Sequence, residues 1–514
     1  MHLQLSLGKE TGMNLYEQAF LTLYFLVLLV LCFYGSHRYK MAILYRRHKT
    51  KAPQKTLSLE DSFSTFPKVL VQLPIYNERF VVERLIEQVA KLRYPKSALL
   101  IQVLDDSTDD SHEIAQACVT HYAEQGIPIE YRHRTDRKGF KAGALEAGMK
   151  AQQDYDLIAI FDADFLPQLD FLEQLVPHFT DPTVGMVQAR WSHINREDSL
   201  LTQAQAILLD GHFMIEHTAR NRAGYFFNFN GTAGIWRKSC IEEAGGWHHD
   251  TITEDLDLSY RAQLKGWRFI YRNDILAPAE LPIEMNAFKN QQHRWAKGSI
   301  QVALKTLPLM FRSSQPWSVK YESFCHLTGN IAYLMMILLS LMHPFALRLR
   351  IDHGWRETVL LDFPFFLGAT VSVLIFFGLS QLEVDAQKGL KRLKYLPAVL
   401  GIGIGLTINN AKATLEALMG QQSPFVRTPK WAAGDQTQGK ALLSNVYQGS
   451  RGLMPYFELA LGLYYTLTIS YCFQEGLWFA LPFMLLFQWG FLYTAWLSFF
   501  QAYFLQKKHI KDSP

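Results

Sequence analysis

Two groups of long apolar runs flank a central stretch that has none, and this arrangement limits the possible folds more than any other feature. The first run, at 15–35, has about 20 residues, enough for a helix to cross a hydrocarbon core of roughly 30 Å. More apolar runs begin after residue 322. The 514 residues suffice for a membrane region and a large soluble domain. We therefore predict a multi-span membrane protein with a soluble domain inserted between its spans.

Basic residues after the first run predict its orientation. They are Arg38, Lys40, Arg46, Arg47, Lys49 and Lys51. A cleaved signal peptide would carry its basic residues before the apolar run and a small-residue cleavage site after it, so an uncleaved anchor is favoured. Because Lys and Arg beside spans stay in the cytosol, the following stretch is predicted to be cytosolic and the N-terminus extracytoplasmic.

Five apolar runs follow the central stretch, at 324–347, 359–380, 396–408, 453–473 and 477–499. Four are long enough to span. The run 396–408 is short, contains three glycines and follows three basic residues, as in an interfacial or re-entrant helix. If it does not cross, there are five spans, and the basic tail with Lys507, Lys508 and Lys511 lies in the cytosol. If it does cross, the tail lies outside.

Because only residues 500–514 follow the last run, we expect regulation to come from partners.

The central stretch alternates strand-like and helical segments, which predicts an α/β domain with a mainly parallel sheet. Strands are predicted at 68–73, 99–104, 129–132 and 157–161, with helices such as 80–92 and 111–125 between them. Asp105 and Asp106 follow the second strand, and Asp162 and Asp164 follow the fourth. Both pairs are therefore expected at the carboxyl edge of the sheet, where such folds bind ligands.

The segment FDADF places Asp162 and Asp164 two residues apart in extended backbone, so that both carboxylates can reach one cation. Mg²⁺ or Mn²⁺ binds a few carboxylates together with phosphate oxygens. Such an ion would bridge a nucleotide diphosphate and stabilise it as a leaving group. An Asp-rich turn that caps a helix is the alternative interpretation of this pattern.

Composition argues against two other classes of function. The net charge is +4, and Lys and Arg lie mostly beside apolar runs, so nucleic-acid binding is not indicated. The five cysteines have neither CxxC nor metal-ligand spacing, so no zinc site or disulfide framework is predicted.

An ordered set of motifs extends over nearly the whole central stretch. They are LPIYNE (73–78), LDDSTD (104–109), RKGFKAGAL (137–145), FDAD (161–164), FNGTAGIWR (229–237), TITEDLD (251–257) and QQHRW (291–295). Together they resemble the processive family 2 glycosyltransferases of the cellulose synthase superfamily. The motif sequences are most similar to those of the cellulose synthase-like A and C proteins, which are mannan, glucomannan and glucan synthases, and to those of their bacterial relatives. The resemblance implies an α/β GT-A (Rossmann-like) glycosyltransferase domain embedded in an α-helical transmembrane protein.

This resemblance and the apolar runs divide the chain into eight segments. They are an extracytoplasmic N-terminus (1–14), transmembrane helix 1 (15–37), a basic cytosolic linker (38–65), the GT-A domain (66–310), a junction with transmembrane helices 2 and 3 (311–383), a cytosolic interface helix with a gating loop (384–452), transmembrane helices 4 and 5 (453–500) and a cytosolic tail (501–514).

The resemblance also implies the roles of individual residues. Donor binding is assigned to Asp105, Asp106, Lys141, Asp162, Gln291 and Arg294, and metal binding to Asp162 and Asp164. The catalytic residues are Asp255 as general base, with Glu254 and Asp164 beside it. The acceptor is assigned to Trp295, Asn230, Gly231 and Thr232. Simpler interpretations exist for some of them: an acidic helix start for 254–257, a membrane-junction aromatic for Trp295 and a solvated side chain for Lys141.

The segment SPFVRTPK, residues 423–430, resembles the FxVTxK gating loop of cellulose synthases through Phe425, Thr428 and Lys430. Arg427 stands where that motif has Val. A loop that closes over a nucleotide sugar must be cytosolic, and the five-span topology places it there. A basic linker next to anionic lipid is the alternative.

The expected function is that of an inverting hexosyltransferase. It would polymerise hexose from GDP-mannose or UDP-glucose, with Mg²⁺ or Mn²⁺, into a β-linked polysaccharide, with β-1,4 linkage expected, and pass the product through the membrane. The sequence FNGT replaces the Cys-Gly pair of cellulose synthases, which weakens a cellulose assignment. The alternative is a single transfer to a lipid or lipid-linked acceptor. Expected partners are the donor, the growing polysaccharide, the bilayer and export or regulatory subunits, but no nucleic acid. The expected location is a bacterial inner membrane, with the Golgi membrane as an alternative that fits the same topology.

Overall fold

A computed structural model describes residues 13–51, 58–355, 362–422, 427–433 and 452–512, with side chains up to residue 501. Phe425 and parts of the predicted linker and of the predicted gating motif, residues 423–430, lie outside these ranges, and so do the side chains of the basic tail.

The soluble domain is built on a seven-stranded sheet with the strand order β3-β2-β1-β4-β6-β5-β7. The strands are β1 Val69–Ile75, β2 Leu99–Asp105, β3 Ile129–His133, β4 Leu157–Ile160, β5 Val184–His193, β6 Gly234–Arg237 and β7 Arg268–Ala279. Only β6 runs antiparallel to its neighbours, β4 and β5, and the other neighbouring pairs are parallel. The prediction of an α/β domain with a mainly parallel sheet is confirmed, although β5, β6 and β7 were not predicted.

Helices cover both faces of the sheet. Alternate strand residues point to opposite sides, and the residues on both sides are largely apolar. In β1, Val69, Val71 and Leu73 belong to one buried apolar cluster, and Leu70 belongs to another. The helices of this domain are α1 Leu15–His48, which enters it from the membrane, then α2 Leu59–Ser62, α3 Val82–Ala90, α4 Ser111–Glu124, α5 Phe140–Ala151, α6 Phe171–Leu175, α7 Leu200–Asp210, α8 Thr218–Arg222, α9 Lys238–Glu243, α10 Glu254–Leu264 and α11 Met285–Arg312. A π-helical segment, Gly211–His217, joins α7 to α8.

After α11 the described chain is helical apart from short connections and residues 427–433. The helices are α12 Trp317–Thr328, α13 Ile331–Asp352, α14 Phe363–Phe366, α15 Ser372–Val384, α16 Ala386–Arg392, α17 Leu396–Gly405, α18 Thr407–Leu418, α19 Met454–Gln474 and α20 Leu481–Asp512. A π-helical segment, Leu367–Val371, joins α14 to α15, so 363–384 is continuous helix.

Four described helical stretches are long and apolar enough to cross a membrane: Leu15–His48, Ile331–Asp352, Phe363–Val384 and Leu481–Gln501. They correspond to predicted spans 1, 2, 3 and 5. The helix α19, predicted as span 4, is not among them, so the five-span topology stays a prediction. The run 396–408 is divided between α17 and α18.

The first helix is longer than its apolar run. At 1.5 Å per residue its 34 residues extend about 50 Å, well beyond a hydrocarbon core. Its polar end packs on other elements, where Lys40 Nζ lies 2.8 Å from Glu322 and Lys49 Nζ lies 2.8 Å from Glu383. The segment predicted as a linker from residue 38 therefore begins as helix, because these ion pairs stabilise the additional turns.

A buried ion pair connects α11 to the last two helices. Lys289 Nζ lies 2.6 Å from a carboxylate oxygen of Glu458 and donates to Ser498 Oγ at 2.7 Å. Both charged side chains are at most 5% exposed. Because α11 carries the QQHRW motif, this pair fixes the motif's helix against α19 and α20.

We expect Glu458→Ala to lower the free energy of unfolding by about 3–5 kcal/mol, because it leaves the Lys289 charge buried without its partner. Denaturant unfolding in detergent micelles would measure the change. Lys91→Ala is the matched control, since it removes a half-exposed pair with Glu87 that contributes no more than about 1 kcal/mol. An equal effect of both substitutions would contradict the structural role of the buried pair.

Candidate active site

A cavity of about 220 Å³ lies at the carboxyl edge of the sheet. The sheet order places β1, β2 and β4 side by side, so the motifs that follow these strands meet there. The predicted site residues that line it are Asp106, Lys141, Asp162, Asp164, Asn230, Gly231, Glu254, Asp255, Gln291, Arg294, Trp295, Thr428 and Lys430. Of the predicted site residues that the structure describes, Asp105 and Thr232 do not line it.

Asp162 is held from both sides at the end of β4. Lys141 Nζ donates to Asp162 Oδ1 at 2.5 Å and to the Gly231 carbonyl at 2.8 Å. The Asp162 amide donates to Thr232 Oγ1 at 2.8 Å. Thr232 therefore positions Asp162 from behind the cavity, and Lys141 supplies a positive charge beside it.

Asp164 is 1% exposed and contacts a different lysine. Its Oδ2 lies 2.8 Å from Lys430 Nζ and accepts from the Glu280 amide at 3.2 Å. Its Oδ1 is buried without a hydrogen-bond partner among the described residues. A buried carboxylate oxygen without a partner is suited to a cation or a ligand donor.

Segment 427–433, which we call the gating segment, is anchored next to this cavity by Glu280. The two Glu280 carboxylate oxygens accept from the amides of Ala433 at 2.8 Å and Trp431 at 3.0 Å. The Trp431 side chain is buried against Ile283 and Ala287. The segment therefore reaches the cavity from a fixed attachment point.

The gating segment directs cations into the cavity. Arg427, which stands in place of the Val of the motif, lies 3.1 Å from Glu78 Oε2. Burial raises the pKa of Glu78 to about 7, although Arg427 and Lys430 act to lower it. For Lys430, burial alone would lower the pKa, but Asp164 and Glu78 raise it, so the ammonium stays charged.

The QQHRW motif lies on α11, as its spacing predicts. Arg294 Nη2 donates to Thr428 Oγ1 at 2.8 Å, which connects this motif to the gating segment. Burial lowers the pKa of Arg294 to about 10, so the guanidinium stays charged at neutral pH. A charged Arg beside two lysines can neutralise diphosphate oxygens.

Asp255 and Glu254 lie in the first turn of α10, where the helix dipole favours carboxylates. Burial, and then the nearby Glu254, raise the pKa of Asp255 to about 7. Burial raises the pKa of Glu254 as well. A carboxylate with a pKa near neutral is suited to accept a proton in a reaction.

The two aspartates after β2 differ in accessibility. Asp105 is fully buried, and its oxygens accept from the Ser107 amide at 2.8 Å and from Tyr131 Oη at 2.7 Å. Asp106 lines the cavity and forms a bidentate pair with Arg134, at 2.8 and 2.6 Å. Direct donor contact therefore stays a prediction for Asp106, whereas the position of Asp105 suits a supporting role.

A second cavity of about 640 Å³ continues from the first into the spans. The residues that line both cavities are Trp191, Leu209, Asn230, Thr253, Asp255, Gln291 and Trp295. Further on, side chains from four candidate spans line it, such as Leu28, His343, Phe377 and Phe487. We call it the tunnel cavity, and its start coincides with the predicted base.

The residues at the first cavity, which we call the donor cavity after the donor-binding residues predicted to line it, fit a divalent cation. Asp164 Oδ1 has no partner, Asp162 is partly accessible, and carboxylates with phosphate oxygens are the ligands that Mg²⁺ and Mn²⁺ prefer. Elsewhere in the described chain, His248, Asp250 and Asp257 also lie within ligand distance of one another. Lys305 Nζ already contacts that group, at 2.8 Å from Asp250 and 2.9 Å from Asp257, so its charge needs no metal.

Residues 67–298 match the family model described as "Glycosyltransferase like family 2". Residues 67–298 are a family 2 glycosyltransferase domain. This match and the mixed sheet confirm the prediction of a GT-A-like domain in a mainly helical protein that has several candidate spans.

The chain also has a curated relative in rice. "Probable glucomannan 4-beta-mannosyltransferase 9" from Oryza sativa subsp. japonica is 44% identical over 253 residues, which are 48% of this chain and 48% of the relative. The chain thus matches about half the length of this relative. The likeness confirms the resemblance to cellulose synthase-like proteins.

Two solved structures are more distantly similar. One is the mannosyltransferase PcManGT from Pyrobaculum calidifontis in complex with GDP-Man and Mn²⁺, with 19% identity, a TM-score of 0.48, and coverage of 79% of this chain and 99% of that one. The other is S. aureus TarS 1-349, with 14% identity, a TM-score of 0.37, and coverage of 70% and 94%.

Several residues at the site were not predicted from the sequence. Glu280 directly follows β7, Trp191 is in β5, and His212 is in the π-helical segment. Glu78 belongs to the LPIYNE motif, so that motif could have indicated it. The other three have no local signal, since their positions depend on how β5 and β7 pair.

Proposed function

We propose that this protein is an inverting β-glycosyltransferase that polymerises hexose from a nucleotide sugar and moves the product through its membrane spans. The observation that carries the proposal is the ring of residues shared by the two cavities. Asp255 lies in this ring, between the donor cavity and the tunnel cavity. A growing chain in the tunnel cavity would therefore present its end to the base.

In the proposed reaction, Asp255 accepts the proton of the acceptor hydroxyl as the oxygen attacks the anomeric carbon of the donor. The nucleoside diphosphate leaves from the opposite side, so the anomeric configuration inverts. The pKa of about 7 suits this role, because about half of the carboxylate is ionised at neutral pH and the ionised form is basic enough to accept a proton.

The leaving diphosphate lies among cations in this proposal. Lys141, Arg294 and Lys430 all line the donor cavity and can neutralise its oxygens. Asp162 and Asp164 would hold Mg²⁺ or Mn²⁺, which, when bound, stabilises the developing charge on the leaving group. Asp106 would contact the nucleoside, and Trp295 would stack on the acceptor sugar.

The lining of the tunnel cavity favours a carbohydrate occupant near the active site. Gln205 Oε1, Asn228 Oδ1 and Thr253 Oγ1 belong to lining residues and are buried without hydrogen-bond partners among the described residues. Sugar hydroxyls can supply these hydrogen bonds.

An alternative is a single transfer to a lipid-linked acceptor, which the apolar lining between the spans favours, as at Leu339, Phe377 and Phe487.

The proposal includes the orientation. The glycosyltransferase domain and the gating segment face the cytosol, because basic residues follow the first span. It also places the protein in a bacterial inner membrane.

The rice relative is named as a mannosyltransferase, so GDP-mannose is the first donor to test and UDP-glucose the second.

The test is to incubate protein purified into lipid nanodiscs with Mn²⁺ or Mg²⁺ and radiolabelled GDP-mannose or UDP-glucose, and to determine the size of the product. We expect long polymer from one donor, with label in a form that a β-1,4-specific endo-glycanase degrades. Label confined to extractable lipid would contradict polymerisation and support the single-transfer alternative. The absence of incorporation and of donor hydrolysis with both donors would contradict the proposal.

Translocation needs a separate measurement. With the protein in sealed proteoliposomes and donor added only outside, we expect the polymer made by outward-facing domains to be protected from added glycanase until detergent is present. Polymer that is fully digestible without detergent would contradict movement through the spans.

A further inference from the structure

Trp191, near the end of β5, is one of the residues that line both cavities. Its ring packs on Phe213 with centroids 4.8 Å apart and on Phe165 at 5.1 Å, which fixes its orientation. Its Nε1 is buried without a hydrogen-bond partner among the described residues. Burying an indole N–H without an acceptor costs free energy, so a ligand hydroxyl at this position would satisfy it.

Asn230 belongs to the same ring, and its amide has one fixed orientation. Its Oδ1 lies 2.6 Å from His217 Nε2, and its Nδ2 lies 3.1 Å from His212 Nε2. Burial lowers the pKa of His217 well below its usual value, so the ring is neutral. Since the amide oxygen needs a donor, His217 donates from Nε2 and the Asn230 Nδ2 faces His212.

Glu216 fixes the tautomer of His212. His212 Nδ1 lies 3.0 Å from Glu216 Oε2, so Nδ1 carries the proton and Nε2 accepts from Asn230. Burial alone would raise the pKa of Glu216, but Arg220 and His212 hold it well below its usual value. The carboxylate therefore stays ionised. Glu216, His212 and Asn230 form one hydrogen-bonded chain that ends in the shared ring.

The π-helical geometry of Gly211–His217 brings the rings of His212 and His217 together, with centroids 4.2 Å apart, so that both reach Asn230. A π-helix widens the turn, and such segments occur frequently at functional sites. It places His212 and Glu216 on the tunnel cavity, which both line, while His217 reaches Asn230 from within the core. An uninterrupted α-helix would present a different set of side chains.

We propose that Trp191 and the Glu216–His212–Asn230 chain form a wall of the acceptor subsite, additional to Trp295. Trp191 Nε1 and the Asn230 amide contact the terminal acceptor sugar, and His212 is a positioning residue that holds Asn230 in place. This inference rests on the proposed function, in that the acceptor is a sugar. Its consequence is a kinetic one. When the wall is damaged, water replaces the acceptor hydroxyl, Asp255 takes a proton from water, and the donor is hydrolysed to free sugar and nucleoside diphosphate.

The first measurement is calorimetric titration of the full chain in nanodiscs, with Mn²⁺ and GDP or UDP present, by β-1,4-mannohexaose or β-1,4-glucohexaose. We expect Trp191→Phe and His212→Ala each to weaken binding by about fivefold to tenfold, the equivalent of one lost hydrogen bond. His212→Gln, which keeps a polar side chain for Asn230, should restore part of the affinity. Wild-type protein that binds neither oligosaccharide would overturn the inference.

The second measurement is the fraction of radiolabelled donor that is hydrolysed rather than transferred. We expect this fraction to rise in Trp191→Phe and His212→Ala, with a higher acceptor KM and an unchanged donor KM. Trp267→Phe is the matched control, because the Trp267 Nε1 donates to Glu243 away from both cavities. Folding is checked by size-exclusion chromatography and thermal unfolding.

These outcomes separate the two proposals. Lipid-linked product from the wild type would contradict polymerisation, but the hydrolysed fraction would still decide the role of the wall. The inference would be overturned, and polymerisation left intact, if folded Trp191→Phe and His212→Ala hydrolysed the same fraction of donor as the wild type and bound the oligosaccharide with the same affinity.

Discussion

The substitution Asp255→Asn is expected to reduce sugar transfer by at least about a thousandfold, because an amide cannot accept the proton of the acceptor hydroxyl. Asn has nearly the same shape as Asp, so the cavity and the start of α10 should persist. Initial rates of label incorporation from GDP-mannose and UDP-glucose would measure the loss. Donor binding, measured by calorimetry, should change far less than the rate.

The control for this variant is Asp274→Asn, which changes an exposed carboxylate that pairs with Arg272. It should retain the wild-type rate. Transfer by Asp255→Asn within about tenfold of the wild type would contradict the assignment of Asp255 as the base. If Glu254→Gln instead abolished transfer while Asp255→Asn did not, the neighbouring carboxylate would be the base.

The pH dependence follows from the raised pKa of Asp255. Since the base acts only when ionised, the transfer rate of the wild type should rise with pH, reach half of its maximum near pH 7 and level off at higher pH. Stability should show the opposite trend. An unfolded Asp ionises near pH 4, so the folded state, which favours the protonated form, loses stability as pH rises from about 4 to about 7. Asp255→Asn should remove this loss, and its unfolding temperature should exceed that of the wild type more at pH 8 than at pH 5.

The sequence indicated β1, β2 and β4 because each is a short, mainly apolar run with clear bounds, and β3 because Ile129 and Tyr131 alternate with polar residues. The strands β5 and β7 were missed because polar residues such as Gln188 and Asn273 interrupt them and their register shifts next to Arg190. The four residues of β6 are too few for a periodic signal. Three of the seven strands therefore depend on tertiary pairing that no local pattern encodes.

Most of the residues that the motifs indicate line one cavity, because each motif follows a strand or lies on a helix at the same sheet edge. The motifs did not indicate Trp191 or His212, whose positions depend on the order β6-β5-β7 and on a π-helical turn. They also did not indicate that Asp105 is enclosed by Tyr131 and Ser107. Residue type alone cannot separate two adjacent aspartates when one points into the sheet edge and the other into the cavity.

The second large effect is expected at Asp164, which we propose binds both the cation and the gating segment. The substitution Asp164→Asn removes a negative charge from the proposed Mn²⁺ site and the ion partner of Lys430. We expect transfer to fall by at least about a hundredfold, since loss of a charge-stabilising group at the leaving phosphate has effects of this size. The free Mn²⁺ signal in electron paramagnetic resonance should show weaker Mn²⁺ binding. Asp154→Asn, at an exposed carboxylate paired with Lys68, is the matched control.

The substitution Lys430→Met should have opposite effects on binding and on rate. Without donor, the Lys430 ammonium competes with Mn²⁺ for Asp164, so its removal should tighten Mn²⁺ binding. With donor, the same ammonium helps to neutralise the diphosphate, so transfer should fall. Mn²⁺ binding to Lys430→Met that is unchanged or weaker would contradict the competition.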